Sequence, residues 1–454
     1  MSLASLLSIA RSSLIVQQRA MEVTAHNVAN ANTPGYSRQT LRLTSATPLQ
    51  MPMYTLGRGV EGNTIERARD VFYDAAYRRD YGSLGRSNTL NDYLTQIEGT
   101  LNEPSTDGLS AALDGMFGSL NDLAGDAANT TNRDLVVTKA SRVVQQLHSM
   151  AAQLDRVNQE AVDNMRVQVQ QVNALAQQVA SLNQKILAST GPNGVSADLQ
   201  DQRDALVDQL SQSVGVRVMA RADGTIGVTA GDTMLVDGAQ ATTLAVVTVG
   251  SGYGVASANG GGAIDMQSGT LSALADLTQN RLPAVRARLD QFANALVTEF
   301  NRIHRAGTTP AGGTNIDFFD PAGTSASTIQ LSAAIRATSN NIAASANGAP
   351  GNGDIATQLA ALATTGVASL GGATLREHFV STASSIGIDI SNAQSDISAQ
   401  QTLVDHDDQS RNATSGVNVD EEMVGLIQQQ QAYQAASRLI SVADQMVQDM
   451  LKII

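Results

Sequence analysis

The chain has 454 residues, which is enough for two or three domains, and it carries a formal net charge of −13. This acidic balance argues against a nucleic-acid-binding surface and against attraction to an anionic membrane, so neither is expected as a partner. The absence of cysteine excludes disulfide bonds and thiolate-bound metals, and an aromatic content of only 3% argues against a large aromatic core.

The first predicted element is a helix at the N-terminus with a narrow apolar seam. The seam consists of Leu3, Leu7, Ala10, Leu14, Met21 and Val28. Its spacings alternate between four and three, with Gln17 and Thr24 in the remaining places, which is typical of a coiled coil. Val16 and Val23 form a further apolar row, and a helix that is apolar on more than one side needs more than one neighbour. Periodicity alone is also compatible with an amphipathic helix packed within its own domain.

The same segment is not a typical export or membrane signal. It lacks the basic start and the unbroken apolar stretch of a cleavable secretory signal peptide. No run of about 18 apolar residues, the length of a membrane-spanning helix, occurs in the sequence. If the protein leaves the cell, we therefore expect it to do so without such a signal.

The stretch HNVANANTPGYSRQ, residues 26–39, ends the first helix. Proline 34 pushes the residue before it away from helical dihedrals, and Pro34-Gly35 fits the central pair of a type II turn. Asn30 and Asn32 tolerate the left-handed conformation in which helices commonly end. The predicted helix-terminating bend comprises Thr33, Pro34, Gly35 and Tyr36.

A long helix is predicted in the middle of the chain, because residues 134–190 contain neither glycine nor proline. Its apolar seam runs from Val136 to Ile186, with one irregular step between Ala161 and Met165 that would locally unwind a supercoil. At 1.5 Å per residue the helix would reach roughly 85 Å. Gly191-Pro192 is predicted to end it.

The pattern then changes to alternation, which predicts a small all-β insert over residues 214–268. Two Asp-Gly pairs, Asp223-Gly224 and Asp237-Gly238, separate alternating apolar runs, and this is the strongest short signal for a hairpin. The segment GSGYG, residues 250–254, lacks the Lys-Ser/Thr of a phosphate-binding loop and is predicted to be a β-turn. We expect the insert to project from the helical body.

Helices are predicted again in the second half of the chain. One begins near Pro283, as a first-turn proline, and continues to Ile303, and another covers about 375–412. The last helix starts with three acidic residues, which favour the positive end of the helix dipole. Its seam includes Val419, Met423, Leu426, Tyr433, Ile440, Val447, Met450 and Ile454.

These elements predict a mainly α-helical, elongated, multidomain rod with coiled-coil-like helices, a small all-β insert and paired terminal helices. The predicted domains are residues 1–32 with 417–454, a terminal coiled-coil core; 33–213 with 269–416, a long-helix rod domain; and 214–268, the β insert. The terminal seams are interpreted as assembly surfaces.

No catalytic or metal-binding constellation is predicted. The five histidines are far apart and none has the spacing of a helical zinc site, so His26 is interpreted as a surface or interface residue. Adjacent positions in Asp405-His406-Asp407-Asp408 point in different directions on a helix, which favours a solvated face. The carboxylates of Asp223, Asp232, Asp237 and Asp265 all lie at or near predicted turns. We expect no enzyme activity and no cofactor.

Three segments carry a resemblance to a known family. NVANANTPGYSRQ, residues 27–39, and SGVNVDEEMVGLIQQQQAYQ, residues 415–434, resemble the N- and C-terminal signatures shared by bacterial flagellar rod, hook and hook-associated proteins. LQDQRDALVDQLSQSVGVRV, residues 199–218, resembles the hook-associated members in particular. The resemblance implies terminal helices that form an inner tube, with the other domains further out.

The resemblance further implies a structural subunit of the hook–filament junction. Such a subunit would associate with itself in a ring, with the hook protein below and a second junction protein above, and would leave the cell through the flagellar type III secretion channel. An exposed apolar stripe on the last helix would suit an export chaperone. The alternatives are another axial subunit (hook or distal rod), a soluble coiled-coil adaptor, and a carbohydrate-acting enzyme with paired carboxylates in the β insert.

Overall fold

The computed structural model describes residues 3–51, 54–189 and 196–453. The helices are α1 Leu3–Asn30, α2 Val71–Leu101, α3 Leu109–Gly125, α4 Thr130–Ser189, α5 Ala197–Val214, α6 Thr270–Asp276, α7 Leu282–Arg305, α8 Ala333–Ala337, α9 Asp354–Ala361, α10 Leu375–Ser415 and α11 Val419–Ile453. The strands are β1 Gln39–Ser45, β2 Leu49–Met51, β3 Tyr54–Leu56, β4 Val60–Arg67, β5 Val216–Ala220, β6 Ile226–Ala230, β7 Thr233–Asp237, β8 Gln240–Ala241, β9 Leu244–Val249 and β10 Gly252–Ser257. The predicted helix end at Gly191-Pro192, the residue Ile454 and the side chain of Leu3 lie outside the described residues.

The helix α4 is the central element of the body. It has 60 residues, so it extends about 90 Å. Its predicted seam from Val136 to Ile186 is buried except at Gln168, where the neighbouring Val169 is buried instead. One continuous apolar core follows this seam and includes side chains from α2, α3, α5, α7 and α10. The prediction of a mainly α-helical fold with paired terminal helices and a small β insert is confirmed.

The terminal helices α1 and α11 pack against each other along their lengths. The buried side chains of α11 include Ala436 and Ala443, whose small size allows close approach. Towards the body the contact becomes polar, and the amide of Gln429 donates to the hydroxyl of Thr24 at 3.1 Å. In the first half of α11 the contact row therefore lies one residue before the predicted seam, which ran through the exposed Met423.

The β insert is a four-stranded antiparallel meander in the order β5-β6-β7-β8, followed by the hairpin β9–β10. In that hairpin Gly250 has a φ of +58° at the first position of a two-residue turn, as a type II′ turn requires. The insert lies on α4, where the amide of Asn183 donates to the carbonyls of Ile226 and Gly238. Its apolar side chains are continuous with the helical core.

Four strands were not predicted. β1 and β4 form an antiparallel ribbon, and β2 pairs with β3, in a region assigned to helical rod on sequence grounds. Alternation of Leu41 and Leu43 between polar residues was the available signal. The ribbon follows the bend after α1 and leads into α2.

The helix predicted to begin near Pro283 is α7, which begins at Leu282 and has Pro283 in its first turn. Helical residues continue from Thr270 through a π-turn, Leu277–Arg281, into α7. Within this turn Leu282 N–H donates to Leu277 O, five residues back. A wider turn immediately before the proline makes room for its ring and accommodates its missing donor. The prediction of a first-turn proline is confirmed for α7, although helical residues precede this helix from Thr270.

Between α7 and α10 the chain is irregular but compact, with short helices and isolated bridges. His304 fixes part of it: its Nδ1 donates to Ile316 O at 2.7 Å, and its Nε2 accepts from Ala343 N–H at 2.9 Å. The ring is fully buried, and burial lowers the pKa of His304 to about 4. It is a neutral structural histidine.

The acidic run at residues 405–408 is only partly solvated. Asp407 is buried against α2 beside Asp80, which corrects the prediction of a solvated face at this position. Burial and the Asp80 carboxylate raise the pKa of Asp407. Its Oδ2 is buried without a hydrogen-bond partner in the described part of the chain.

Candidate functional site where the terminal helices join the body

The bend after α1 redirects the chain by a tight turn. Tyr36 N–H donates to Thr33 O at 3.2 Å, and Gly35 between them has a φ of +79°, which is type II geometry. Asn30 and Asn32 do not adopt the left-handed conformation suggested by the sequence, since the non-glycine residues with positive φ in the described chain are Asn102 and Asn315. Gly35 is therefore the residue of this bend that adopts a positive φ.

Asn27 is the centre of the joint. Its side chain is almost fully buried, and its Oδ1 accepts from Gln39 N–H at 2.9 Å and from the Tyr36 hydroxyl at 2.8 Å. Its Nδ2 donates to Gln39 O at 2.9 Å and to Glu422 Oε2 at 3.0 Å. All four hydrogen bonds that an asparagine side chain can make are formed. They tie α1, the bend, β1 and α11 together.

Arg38 closes the joint from the other side. Its Nε donates to Glu422 Oε1 at 2.8 Å, and its N–H donates to Ser415 O, also at 2.8 Å. Glu422 is therefore held at both oxygens, by Asn27 and by Arg38. The end of α1 therefore lies directly beside the connection between α10 and α11.

A cluster of buried ion pairs, which we call the Arg–Asp cluster, fixes this joint to the body. Its members are Arg67, Arg69, Arg78, Arg411, Asp74, Asp201, Asp204 and Asp208. Arg67 lies 2.7 Å from Asp201 and 2.8 Å from Asp204, and Arg411 lies 3.0 Å from Asp74 and 2.7 Å from Asp208. These four cations and four anions meet where β4, α2, α5 and α10 come together, and Arg203 adds a fifth cation 3.6 Å from Asp204. Removal of one member of a buried pair typically costs about 3–5 kcal/mol.

Two members of the cluster, Asp204 and Arg69, have pKa values shifted by their charged neighbours. Although burial disfavours its charged form, Arg69 and Arg67 hold the pKa of Asp204 below its ordinary value. Burial also opposes the charge of Arg69, but Asp204 and Asp74 raise its pKa. The surrounding charges therefore favour the charged forms of both Asp204 and Arg69.

The bend is connected to the same cluster. Ser37 donates to Asp201 through its N–H at 3.0 Å and through its hydroxyl at 2.7 Å. Burial, together with Asp198 and Asp201, raises the pKa of Tyr36, so its phenol stays protonated and can donate to Asn27. The hydrogen-bonded joint and the Arg–Asp cluster are one continuous structure.

A cleft of about 640 Å³ opens beside the bend, between α4 and α5. His26 lies at its edge, with Nε2 3.2 Å from Asp198 Oδ1, which places it in an interface as the sequence suggested. No group of three potential metal ligands is present within residues 3–51, 54–189 and 196–453. Nor is any helix within those ranges both long and apolar enough to cross a membrane.

The predicted seam residues whose side chains are described are buried, partly buried or exposed in the isolated subunit. Ala10 is buried, while Leu7, Leu14, Met21, Val28, Leu426, Ile440 and Val447 are partly buried. Val419, Met423, Tyr433 and Met450 are exposed. Leu439, Val442, Met446 and Met450, spaced by three and four, form an exposed apolar row on α11 that we call the outer stripe. The part of the predicted seam in assembly stays a prediction.

Sequence reasoning singled out the bend but missed Asn27, Arg38, Glu422 and the Arg–Asp cluster as functional residues. The three segments that carry the family resemblance, residues 27–39, 199–218 and 415–434, all supply residues to this joint. The sequence signal that could have indicated the joint was that these three segments share one family resemblance although they lie far apart in the chain.

Comparison with known proteins agrees with this arrangement. Residues 94–319 match the model of the flagellar hook-associated protein FlgK helical domain. Residues 7–36 match the flagella basal body rod protein model, and residues 408–453 match the flagellar basal body rod FlgEFG protein C-terminal model.

Individual relatives share the same description. The chain is 30% identical to flagellar hook-associated protein 1 of Bacillus subtilis over 97% of this chain and 96% of that protein. It is 29% identical to the protein of that name from Escherichia coli over 70% of this chain, spanning only 60% of that relative's length. The flagellar hook junction protein FlgK from Burkholderia pseudomallei has a similar fold, with a TM-score of 0.65 at 15% identity, covering 75% of this chain and all of that one.

The fold and the joint define a structural subunit, in which a long helical body is joined by buried hydrogen bonds and ion pairs to a pair of terminal helices with exposed apolar surface. The chain belongs to the flagellar hook-associated protein 1 family. The predicted family is thereby confirmed, and with it a structural role in the bacterial flagellum.

Proposed function

We propose that this chain is a subunit of the hook–filament junction, on which the filament is assembled. The observation that carries the proposal is the joint, which delivers α1 and α11 as one unit at a single point of the body. A subunit that transmits load between an inner tube and an outer layer needs such a fixed connection. The family membership supports the same role.

In this proposal the subunits associate in a ring, with the hook protein below and a second junction protein above. The outer stripe supports self-association, because each Å² of apolar surface removed from water contributes about 25 cal/mol. A pair of helices has little core of its own, and isolated helices are marginally stable. Burial by neighbouring subunits would stabilise both helices.

Export would proceed through the flagellar type III secretion system without a cleavable signal, to an extracellular position at the junction. The outer stripe on α11 would need cover before export, and a small dedicated chaperone on this helix fits that need. The carboxylates considered for an enzyme each bond locally: Asp223 accepts from Thr225 at 2.9 Å, and Asp237 pairs with Arg221. We accordingly propose no catalytic activity.

Electron microscopy of a deletion strain tests the role. We expect hooks without filaments and flagellin in the medium, with filaments restored by the full chain. A variant that ends at residue 418 should remain a soluble, folded body that restores no filaments. Filaments on the deletion strain would refute the junction role.

The matches to rod-protein models at both termini favour one alternative, another axial subunit of the hook or distal rod. The same micrographs separate the two. Loss of a rod or hook subunit removes the hook itself, whereas loss of a junction subunit leaves hooks of normal length.

A further inference from the structure

Two buried carboxyl groups meet in the contact between α2 and α10. Asp80 of α2 is 5% exposed and Asp407 of α10 is 9% exposed, and the two side chains lie close enough to interact. Val404, three residues before Asp407, is also buried, so the pair belongs to the seam between the helices rather than to its rim. Two ionised carboxylates repel each other and neither can donate a hydrogen bond, so a proton is needed to make this contact favourable.

The hydrogen bonds assign that proton to Asp407. Arg79 Nε donates to Asp80 Oδ1 at 2.6 Å, and Arg79 Nη2 donates to Asp80 Oδ2 at 2.9 Å. Asp80 therefore accepts at both oxygens, as a carboxylate does. Asp407 Oδ2 is buried, and no donor in the described part of the chain reaches it. A protonated Asp407 can donate to Asp80, whereas an ionised Asp407 keeps a buried oxygen without a partner.

The charges that act on Asp407 come from both helices. Burial is the largest influence, and together with the Asp80 carboxylate it raises the pKa of Asp407. Arg79 of α2 and His406 of α10 act in the opposite direction. The Arg79 side chain is largely exposed, so the surrounding solvent screens its charge. The surroundings of Asp407 therefore favour its neutral form.

The position of Asp407 connects this pair to the joint. Arg411 lies one turn further along the same face of α10. Its guanidinium lies 4.3 Å from the centre of the Tyr77 ring of α2, and it pairs with two carboxylates of the Arg–Asp cluster. One more turn leads to Ser415, whose carbonyl accepts from Arg38 N–H at 2.8 Å. A change in the α2–α10 contact at Asp407 therefore acts on the segment that leads into α11.

We propose that Asp80 and Asp407 form a proton-dependent contact, which holds the end of α10 and the start of α11 on the body when Asp407 is protonated and releases them when it is ionised. Because the folded pKa is raised, the stability that this contact contributes is present in acid and is lost as pH rises through the folded pKa. The mobility of the terminal helices thereby depends on the pH around the subunit. The inference concerns the single subunit and does not rest on the proposed junction role.

Hydrogen exchange of the full-chain monomer tests this contact, with rates corrected for the effect of pH on the chemistry of exchange. The amides of residues 404–415 and of the first turn of α11 should be protected about tenfold more strongly at about pH 5 than at about pH 8. Asp407→Asn carries an amide that can donate to Asp80 at any pH, so it should keep the stronger protection throughout. Asp408→Asn is the matched control, since Asp408 is the next residue and is exposed, and it should keep the pH dependence of the parent.

A direct titration gives a second readout. In carbon-13 spectra of the aspartate carboxyl groups, with signals assigned by the two asparagine variants, Asp407 should lose its proton at a higher pH than Asp408. Titration of Asp407 together with Asp408 would overturn the assignment of the proton. Exchange in Asp407→Asn that varies with pH as in the parent would overturn the link between this proton and the start of α11.

Discussion

Replacement of Asn27 by alanine should open the joint. The change leaves Gln39 N–H and Gln39 O without partners in a buried site. Each stranded buried backbone group costs about 1–3 kcal/mol, so we expect a loss of about 4 kcal/mol. The Tyr36 hydroxyl is less buried and can turn to water, and Glu422 keeps Arg38. The cost should therefore fall on the connection of α1 and β1 to α11.

Local measurements suit this prediction better than a global one. Hydrogen exchange at the Gln39 amide and in the first turn of α11 should accelerate strongly, whereas the amides of α4 should exchange as in the parent. Urea titration followed by circular dichroism measures the overall loss, because the chain has no tryptophan to report by fluorescence.

Asn30→Ala is the matched control. It lies one turn further along the same helix, and its amide bonds back to His26 O at 3.0 Å within α1. We expect a loss below about 1 kcal/mol for this variant. If Asn27→Ala cost no more than Asn30→Ala, the four hydrogen bonds would not hold the joint.

Three further variants test other parts of the structure. For His304, the folded pKa of about 4 lies below the ordinary value of 6.5, so the unfolded chain binds more protons than the folded chain between these pH values. The free energy of unfolding should therefore be highest above pH 6.5 and fall by about 3 kcal/mol towards pH 4. His304→Gln should flatten this pH dependence in urea titrations. For Asp407, the raised pKa means that the charged form costs stability as pH rises through the folded value; Asp407→Asn should raise the urea midpoint at pH 7, with the gain vanishing as acid protonates the parent, and an unchanged midpoint at pH 7 would contradict the burial argument. Gly35→Val places a β-branched residue at a φ of +79° and should cost about 2 kcal/mol, giving a folded body that assembles poorly, whereas wild-type motility would count against the bend as a requirement for assembly.

The long helices could be predicted because their apolar seams are regular over many turns. Every predicted α7 position from Leu282 to Ile303 is buried, and only one α4 position is not. The β1–β4 ribbon was missed because much of it is polar and exposed, so little apolar pattern marks it. The π-turn at Leu277–Arg281 was missed because it depends on how the following proline is accommodated.

The contact row predicted for α11 was one residue away from the observed row, and the reason is physical. Its contact with α1 uses Glu422, Gln429 and Ala436, and an apolar-seam criterion ignores the first two. The larger apolar residues beside this row were chosen instead, and several of these remain exposed. The joint itself could not be derived from spacing, because Asn27 and Glu422 are 395 residues apart.

The hydrogen bond from Arg38 N–H to Ser415 O has a consequence for how such chains change over time. The polypeptide leaves the pair of terminal helices after α1 and returns to it before α11 at the same place. Everything from β1 to α10 is therefore, in topological terms, a single insertion in a helical hairpin. Segments of the inserted body that lie far from this place can be gained or lost without moving α1 and α11 relative to each other. Variation in length among relatives should therefore accumulate in the outer body, and a foreign domain grafted there should leave the hairpin unchanged.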